Sequence, residues 1–249
     1  MKLLLIGAGN MGSAMLKGLV NYDIDVVEKN IERKKELRSS YPTLNILDAT
    51  PNISEYVVIL AIKPQVLERL ELKGRAKALI SILAGTPLST LKYKVSAEFY
   101  IRAMPNIAAL KQKSVTSITG DIEFRERAIE ILSSIGKTIW LNSEKELDIA
   151  TGLAGSAPAW LAVVAEALSD GAVTLGLPRE KAYEYIPTLF EGVGRLLEDE
   201  HPAILKDKVM SPAGTTASGY SALEKGRVRD SFIEAIKSAY NRSQELGKE

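Results

Sequence analysis

Three glycines, Gly7, Gly9 and Gly12, follow directly on the apolar run Leu3, Leu4, Leu5, Ile6. That spacing suits a strand turning tightly into a helix. Gly7 allows the turn, Gly9 lets backbone approach a phosphate with no Cβ in the way, and Gly12 lets the helix pack closely on the strand. The unpaired N–H groups and positive dipole at the helix start would hold a pyrophosphate. Gly7, Ala8, Gly9, Asn10, Met11 and Gly12 are therefore read as a dinucleotide-binding turn. A plain glycine turn between core elements could use the same residues, so context must separate the two. Met15, Leu16, Leu19 and Val20 continue at helical spacing, and a second apolar run, 24–27, ends in Glu28. A carboxylate about 20 residues past the glycines is placed to meet the adenosine ribose.

Two further polar loops follow strand-like runs. The first is Ala61, Ile62, Lys63, Pro64, Gln65, and the second is Arg102, Ala103, Met104, Pro105, Asn106. Loops at the carboxyl edge of an open α/β sheet are where ligands bind. Lys63 offers donors to ribose hydroxyls or phosphate, and Asn106 offers the donor and acceptor that a carboxamide needs. Each loop could equally be a proline-terminated strand end with a solvated polar residue. Toward the C-terminus, Ser211, Pro212, Ala213, Gly214, Thr215 and Thr216 precede a helix-compatible run to Lys225. Ser211 as N-cap and Pro212 at the first helical position predict a helix start. Backbone N–H groups and two hydroxyls at its positive end suit a substrate carboxylate. Capping alone would explain Ser211 and Pro212, though not the small, hydroxyl-rich turn behind them.

The elements that must position these residues fall into two kinds. Apolar runs at 3–6, 24–27, 57–62, 78–83 and 139–141 are separated in places by charged segments such as 31–40 and 124–135. This predicts an α/β domain with a mostly parallel sheet over residues 1–143. Residues 144–249 read as all-helical. Residues 146–175 are rich in small residues and weakly charged, as in a buried helix pair or bent helix, while 179–198 and 231–246 are amphipathic. A domain of about one hundred residues has difficulty covering such an apolar helix from within. A homodimer or an assembly of dimers sharing this domain is expected.

Composition excludes several chemistries. The chain has 249 residues, 46% of them hydrophobic, and a net charge of +1, so nothing in its charge calls for nucleic acid or an acidic membrane. With no cysteine it has neither disulfides nor thiolate chemistry, and its single histidine, His201, leaves no zinc cluster and reads as a structural residue at a His-Pro turn. The longest uncharged stretch, 149–165, is short for a membrane span and is interrupted by Gly152, Gly155, Ser156 and Pro158. A strand begins at Leu3 where a secretory leader would carry basic residues, so a cytoplasmic location is expected.

The motifs GAGNMG at 7–12, AIKPQ at 61–65, RAMPN at 102–106, GSAPAW at 155–160 and HPAILKDKVMSPAGTT at 201–216 occur in one order. In order and spacing the chain resembles the pyrroline-5-carboxylate reductase family over almost its whole length. The last motif, continued by Leu223, Glu224 and residues 242–246, is the most specific. The resemblance implies a Rossmann domain followed by a helical dimerisation domain. It also implies reduction of the cyclic imine 1-pyrroline-5-carboxylate to L-proline by NADPH or NADH, the last step of proline biosynthesis. By the same resemblance, Thr216 hydrogen-bonds the ring nitrogen, and Ser211, Ala213, Gly214 and Thr215 form the substrate site. The dinucleotide falls to the glycine turn with Glu28, Lys29, Asn30, Ala61, Ile62, Lys63, Pro64 and Asn106. Hydride transfer to an already activated iminium demands orientation more than an acid or base, which suits a chain without cysteine.

Three departures from the family pattern bear on substrate and cofactor. Ala157 and Ala213 stand where glycine is usual, and Ile107, Ala108, Ala109 follow Asn106 where a threonine and a proline are common. A reductase of another cyclic imine therefore stays open, as does a nucleotide-binding regulatory protein without catalysis. A β-hydroxyacid dehydrogenase shares the two-part plan but relies on a lysine, and the run SAPAWLAVVAEAL after Gly155 has none. Glu28 would accept from ribose hydroxyls and repel a 2′-phosphate, while Lys29, Asn30, Arg33 and Lys34 could compensate, so dual use with a lean to NADH is expected.

Overall fold

In the computed structural model, which describes residues 2–246, the apolar runs become strands of one eight-stranded sheet. These are β1 (Lys2–Ile6), β2 (Asp23–Val27), β3 (Asn45–Leu47), β4 (Tyr56–Leu60), β5 (Ala78–Ser81), β6 (Tyr100–Met104), β7 (Ser114–Gly120) and β8 (Gly136–Trp140), in the order β3-β2-β1-β4-β5-β6-β7-β8. All neighbours run parallel except β6 and β7. The helices α1 (Asn10–Leu19), α2 (Ile31–Ser40), α3 (Pro64–Leu67), α4 (Leu88–Lys94) and α5 (Arg125–Ser133) fall between the strands.

The central strands β1, β4 and β5 are apolar at nearly every position because both faces are covered. Leu3 and Leu5 join one core cluster with Met15, Leu16 and Ile131, while Leu4 and Ile6 join another with Val58, Leu60 and Leu91. Alternate side chains point to opposite faces, so one strand anchors two cores. Full burial of each such leucine contributes about 1.5–3 kcal/mol. Three strands lie outside the apolar runs. β3 is only three residues long, β6 carries a buried arginine, and β7 reads SVTSITG with Ser114, Thr116, Ser117 and Thr119 all buried.

Beyond Trp140 the described residues form no strand. The helices are α6 (Glu144–Ala150), α7 (Ala157–Thr174), α8 (Arg179–Asp199), α9 (Pro202–Val209), α10 (Thr215–Lys225) and α11 (Val228–Leu246), and a π-helical stretch, Thr151–Ser156, joins α6 to α7. Two compact units result: residues 2–156 with 236–246, and Ala157–Ala235. Residues 144–156 are thus helical yet pack with the sheet. In the second unit α7 packs on α8, and α8 on α9.

The segment around 146–175 is one continuous helix, and it is not buried within the chain as the sequence suggested. Glu144–Thr174 is long and apolar enough to cross a membrane by length and composition, and Leu161, Val163 and Leu168 are exposed. Pro158 does not break it, because the π-helical stretch precedes that residue.

Candidate active site

At the carboxyl ends of β1, β2 and β4 the first unit opens a cleft of about 690 Å³. Gly9, Asn10, Met11, Glu28, Asn30, Arg33, Ala61, Ile62, Lys63 and Pro64 line it, with Leu83, Ala84, Met104 and Pro105. A second cleft of about 760 Å³ shares Gly9, Glu28, Ala61, Ile62 and Lys63, and adds Gly7, Lys29, Val66, Arg69 and Leu70. The two clefts share three segments far apart in sequence: the glycine turn, the end of β2 and the loop after β4.

The glycine turn fits a pyrophosphate. Gly7 has φ +93°, and a Cβ there would lie 2.7 Å from the Ala61 carbonyl oxygen. A Cβ on Gly12 would lie 2.2 Å from the Gly7 carbonyl oxygen, so α1 can approach the turn this closely only without a side chain. A Cβ on Gly9 would meet nothing within 4 Å, so open space adjoins this position. Gly9 is the N-cap of α1 and supplies no side-chain cap to its first turn. An anion is the natural partner for N–H groups in that position.

Glu28 is fixed at the end of β2. The Ala8 N–H donates to its Oε2 at 2.7 Å and the Asn30 N–H to its Oε1 at 2.8 Å, tying the carboxylate to the glycine turn. Arg33 reaches across from α2, its Nη2 donating to Asn10 Oδ1 at 2.8 Å and its Nη1 to Glu36 Oε2.

Asn106 is buried and does not appear among the lining residues of either cleft. Its Nδ2 donates to the Ala154 carbonyl at 2.9 Å, and its Oδ1 accepts from the Ala108 N–H at 3.1 Å. The first bond has a clear origin. In the α-helical pattern the Ala154 carbonyl would accept from the N–H of residue 158, and Pro158 has none. Asn106 supplies one. The neighbouring Met104 and Pro105 form the cleft wall.

Sequence reasoning missed Arg102 as a brace. Its guanidinium is buried in β6 and donates from Nη1 to Glu144 Oε1 at 2.8 Å and from Nη2 to Asp148 Oδ1 at 2.9 Å. Glu144 also accepts from the Leu88 N–H, and Asp148 from Gln244 Nε2. The sheet, α4, α6 and α11 are therefore held to one side chain. Arginine inside an otherwise apolar strand, with two acids one helical turn apart at 144 and 148, was the available signal.

In the second unit the turn before α10 differs from the expectation. Ser211 is not the N-cap and Pro212 is not the first helical residue. α10 begins at Thr215 with Gly214 as N-cap, and the Gly214 N–H donates to the Ser211 carbonyl at 3.1 Å, closing a turn. The cause is Ala213, whose φ of +56° is left-handed and stops any helix begun at Pro212. Thr215 and Thr216 are exposed in the first turn of α10. One turn on, the Tyr220 hydroxyl accepts from Arg229 Nη2, and Lys206 lies over the Tyr220 ring. A hydrogen bond from Arg229 holds the Glu224 carboxyl below the usual carboxylate range. His201 caps α9, its Nδ1 accepting from the Ala203 N–H. Among the described residues no acidic or histidine cluster could hold a metal.

A mostly parallel sheet with this turn, and with an acid at the end of its second strand, is a Rossmann-type dinucleotide-binding fold, here followed by a helical region. Residues 2–85 match a family described as NADP oxidoreductase, coenzyme F420-dependent, and residues 144–246 match pyrroline-5-carboxylate reductase dimerisation. The chain is 39% identical to a pyrroline-5-carboxylate reductase of Synechocystis, covering 98% of this chain and 97% of that one. It is 36% identical to that of Thermus thermophilus over 100% and 99% of the two. The crystal structure of the Streptococcus pyogenes 1-pyrroline-5-carboxylate reductase superposes with a TM-score of 0.87 at 31% identity, over 98% of each chain. The chain belongs to the pyrroline-5-carboxylate reductase family.

Proposed function

We propose that this protein reduces 1-pyrroline-5-carboxylate to L-proline, using NADPH or NADH. The observation that carries the reading is a near-full-length likeness to reductases of that name, together with a glycine turn whose geometry fits a dinucleotide. A reduced nicotinamide, when bound, supplies the hydride. Gly7, Ala8, Gly9, Asn10, Met11 and Gly12 would hold the pyrophosphate, Glu28, Lys29 and Asn30 the adenosine ribose, and Ala61, Ile62, Lys63 and Pro64 the nicotinamide side. Asn106 would set the cleft wall. A Plasmodium falciparum pyrroline carboxylate reductase with NADP bound, 26% identical with a TM-score of 0.81, supports the cofactor class.

Substrate binding falls to Ser211, Ala213, Gly214, Thr215 and Thr216. The carboxylate would accept from N–H groups at the start of α10, assisted by the helix dipole. Thr216 Oγ1 would accept a hydrogen bond from the protonated ring nitrogen and so orient the imine carbon. Orientation is the main requirement, because a protonated imine is already electrophilic. We further read residues 1–143 as the cofactor part and 144–249 as the substrate and dimer part, the last three residues lying outside those described. A homodimer or assembly of dimers, in the cytoplasm and without nucleic acid or membrane as partner, accounts for the exposed apolar side chains of α7 and α8.

The test is oxidation of NADH and NADPH, each with 1-pyrroline-5-carboxylate, with proline identified as product. Turnover is expected. Nucleotide binding without turnover defeats the reading. Reduction of a different cyclic imine in its place would follow from Ala213, whose methyl group sits in the substrate turn where the family usually has glycine.

A further inference from the structure

Thr216 lies in α10, a helix that burial alone does not fix. Gly214, its N-cap, brings no side-chain cap, and no residue of α10 is buried within the chain. Eleven residues are marginal as an isolated helix, so the contacts that hold α10 come from side chains of its neighbours. The structure concentrates them on one face. Thr216, Tyr220 and Glu224 follow one another at intervals of four, which sets them in line along the helix. Tyr220, half-buried in the middle of that line, is gripped twice. The Lys206 ammonium of α9 stands 4.9 Å from its ring centre, and Nη2 of Arg229, in α11, donates to its hydroxyl at 3.2 Å. Arg229 is itself fixed, because it donates to Glu224 Oε1 from Nη2 at 2.7 Å and from Nε at 3.3 Å. Lys206 also pairs with Asp207 at 2.8 Å. We propose that Tyr220 is a positioning residue for the reduction: held between α9 and α11, it sets the rotation of α10 and so the aim of the Thr216 hydroxyl.

Helix geometry gives the size of the effect. Cα atoms lie about 2.3 Å from a helix axis, so a rotation of about 25° carries the Cα of Thr216 about 1 Å and its hydroxyl further. Where orientation is the main requirement, a displacement of about 1 Å can cost about 100-fold in rate. A small loss of restraint is therefore enough to slow the reaction. The two grips ask for different parts of the side chain. The Lys206 contact needs the aromatic face, and the Arg229 bond needs the hydroxyl. Tyrosine offers both, phenylalanine keeps the first, and leucine keeps neither.

This inference rests on the placing of Thr216 against the ring nitrogen. Kinetics with 1-pyrroline-5-carboxylate and either NADH or NADPH would compare wild type, Tyr220→Phe, Tyr220→Leu, Thr216→Val and the two double variants. Tyr220→Phe is expected to lower kcat about threefold and Tyr220→Leu about tenfold. KM, and nucleotide affinity by fluorescence titration, should stay within about twofold, because lost orientation acts on the transition state. In the Thr216→Val background either change at Tyr220 should cost less than about twofold more, since the group it aims is gone. A merely structural role would cost as much in that background as in the wild type, and losses that multiply in this way overturn the proposal. If Tyr220→Leu does not fold, Tyr220→Phe decides alone, and a kcat equal to that of wild type counts against the clamp. A wild type that turns over no faster than Thr216→Val removes the Thr216 assignment and this inference with it. A wild type without turnover defeats the reductase reading itself, whereas multiplying losses leave that reading intact.

Discussion

Asn106→Ala separates a cofactor contact from a structural cap. The substitution removes the 2.9 Å bond to the Ala154 carbonyl and the 3.1 Å bond from the Ala108 N–H. Leaving a buried polar group unpaired costs about 1–3 kcal/mol. Ala108 and Ala154 are both partly exposed, so water softens the loss and the low end applies to each, giving about 2 kcal/mol in all. For a chain of this size about 2–4 °C of melting temperature is lost per kcal/mol, so a fall of about 4–8 °C is expected by calorimetry. NADH affinity should change by less than about threefold. Pro158→Ala gives the main chain back an N–H for the Ala154 carbonyl. In the Asn106→Ala background it should recover about half of the loss, and in the wild type, where the carbonyl already has a donor, it should recover little. The double-mutant cycle then shows a coupling of about 1 kcal/mol. An unchanged melting temperature with a tenfold loss of nucleotide affinity would refute the capping argument and make Asn106 a direct contact.

The glycines divide in the same way. Gly12→Ala forces a Cβ to 2.2 Å from the Gly7 carbonyl oxygen and should lower both stability and nucleotide binding, whereas Gly9→Ala meets no protein atom and should lower binding while the melting temperature holds within about 2 °C. Arg102→Met strands Glu144 and Asp148 and should cost about 2–4 kcal/mol, the lower part of the range applying because the Glu144 side chain is 35% exposed; neutralising both acids in that background should return more than half of the loss, and a triple variant no better than the single one counts against the brace. Thr216→Val should lower turnover far more than nucleotide affinity, and equal losses would remove it from the substrate site. Burial pushes the Asp25 carboxyl up, but hydrogen bonds from Tyr56, Lys2 and Asn45 outweigh it and leave its pKa below the usual value. Its contribution to stability is therefore full above about pH 4 and lost as pH falls through the depressed value. Acid titrations of wild type and Asp25→Asn should diverge above that point and converge below it.

What was legible in the sequence follows from how local its causes are. β1, β2, β4, β5 and β8 and the glycine turn could be placed because each is a short pattern set by burial or by the lack of a Cβ. β7 could not, since its serines and threonines look like a surface loop until α5 and α6 pack on the strand. The hydrogen bond that holds Asn106 was not legible, because its partner is the Ala154 carbonyl, 48 residues further along the chain. The start of α10 was misplaced for a smaller reason. Ser-Pro is a sound helix-start signal, and what overrides it is a single left-handed alanine one residue later. That alanine joins legibility to chemistry. Holding a non-glycine residue in this conformation costs about 1–2 kcal/mol, which Ala213→Gly would relieve, offset by about 0.4–1 kcal/mol of extra freedom in the unfolded chain. A net stabilisation of about 0.5–1 kcal/mol is expected, small enough that the alanine can persist. If the turn binds substrate as proposed, the methyl group acts on it chiefly by its bulk, so Ala213→Gly should alter selectivity among cyclic imines more than it alters the melting temperature.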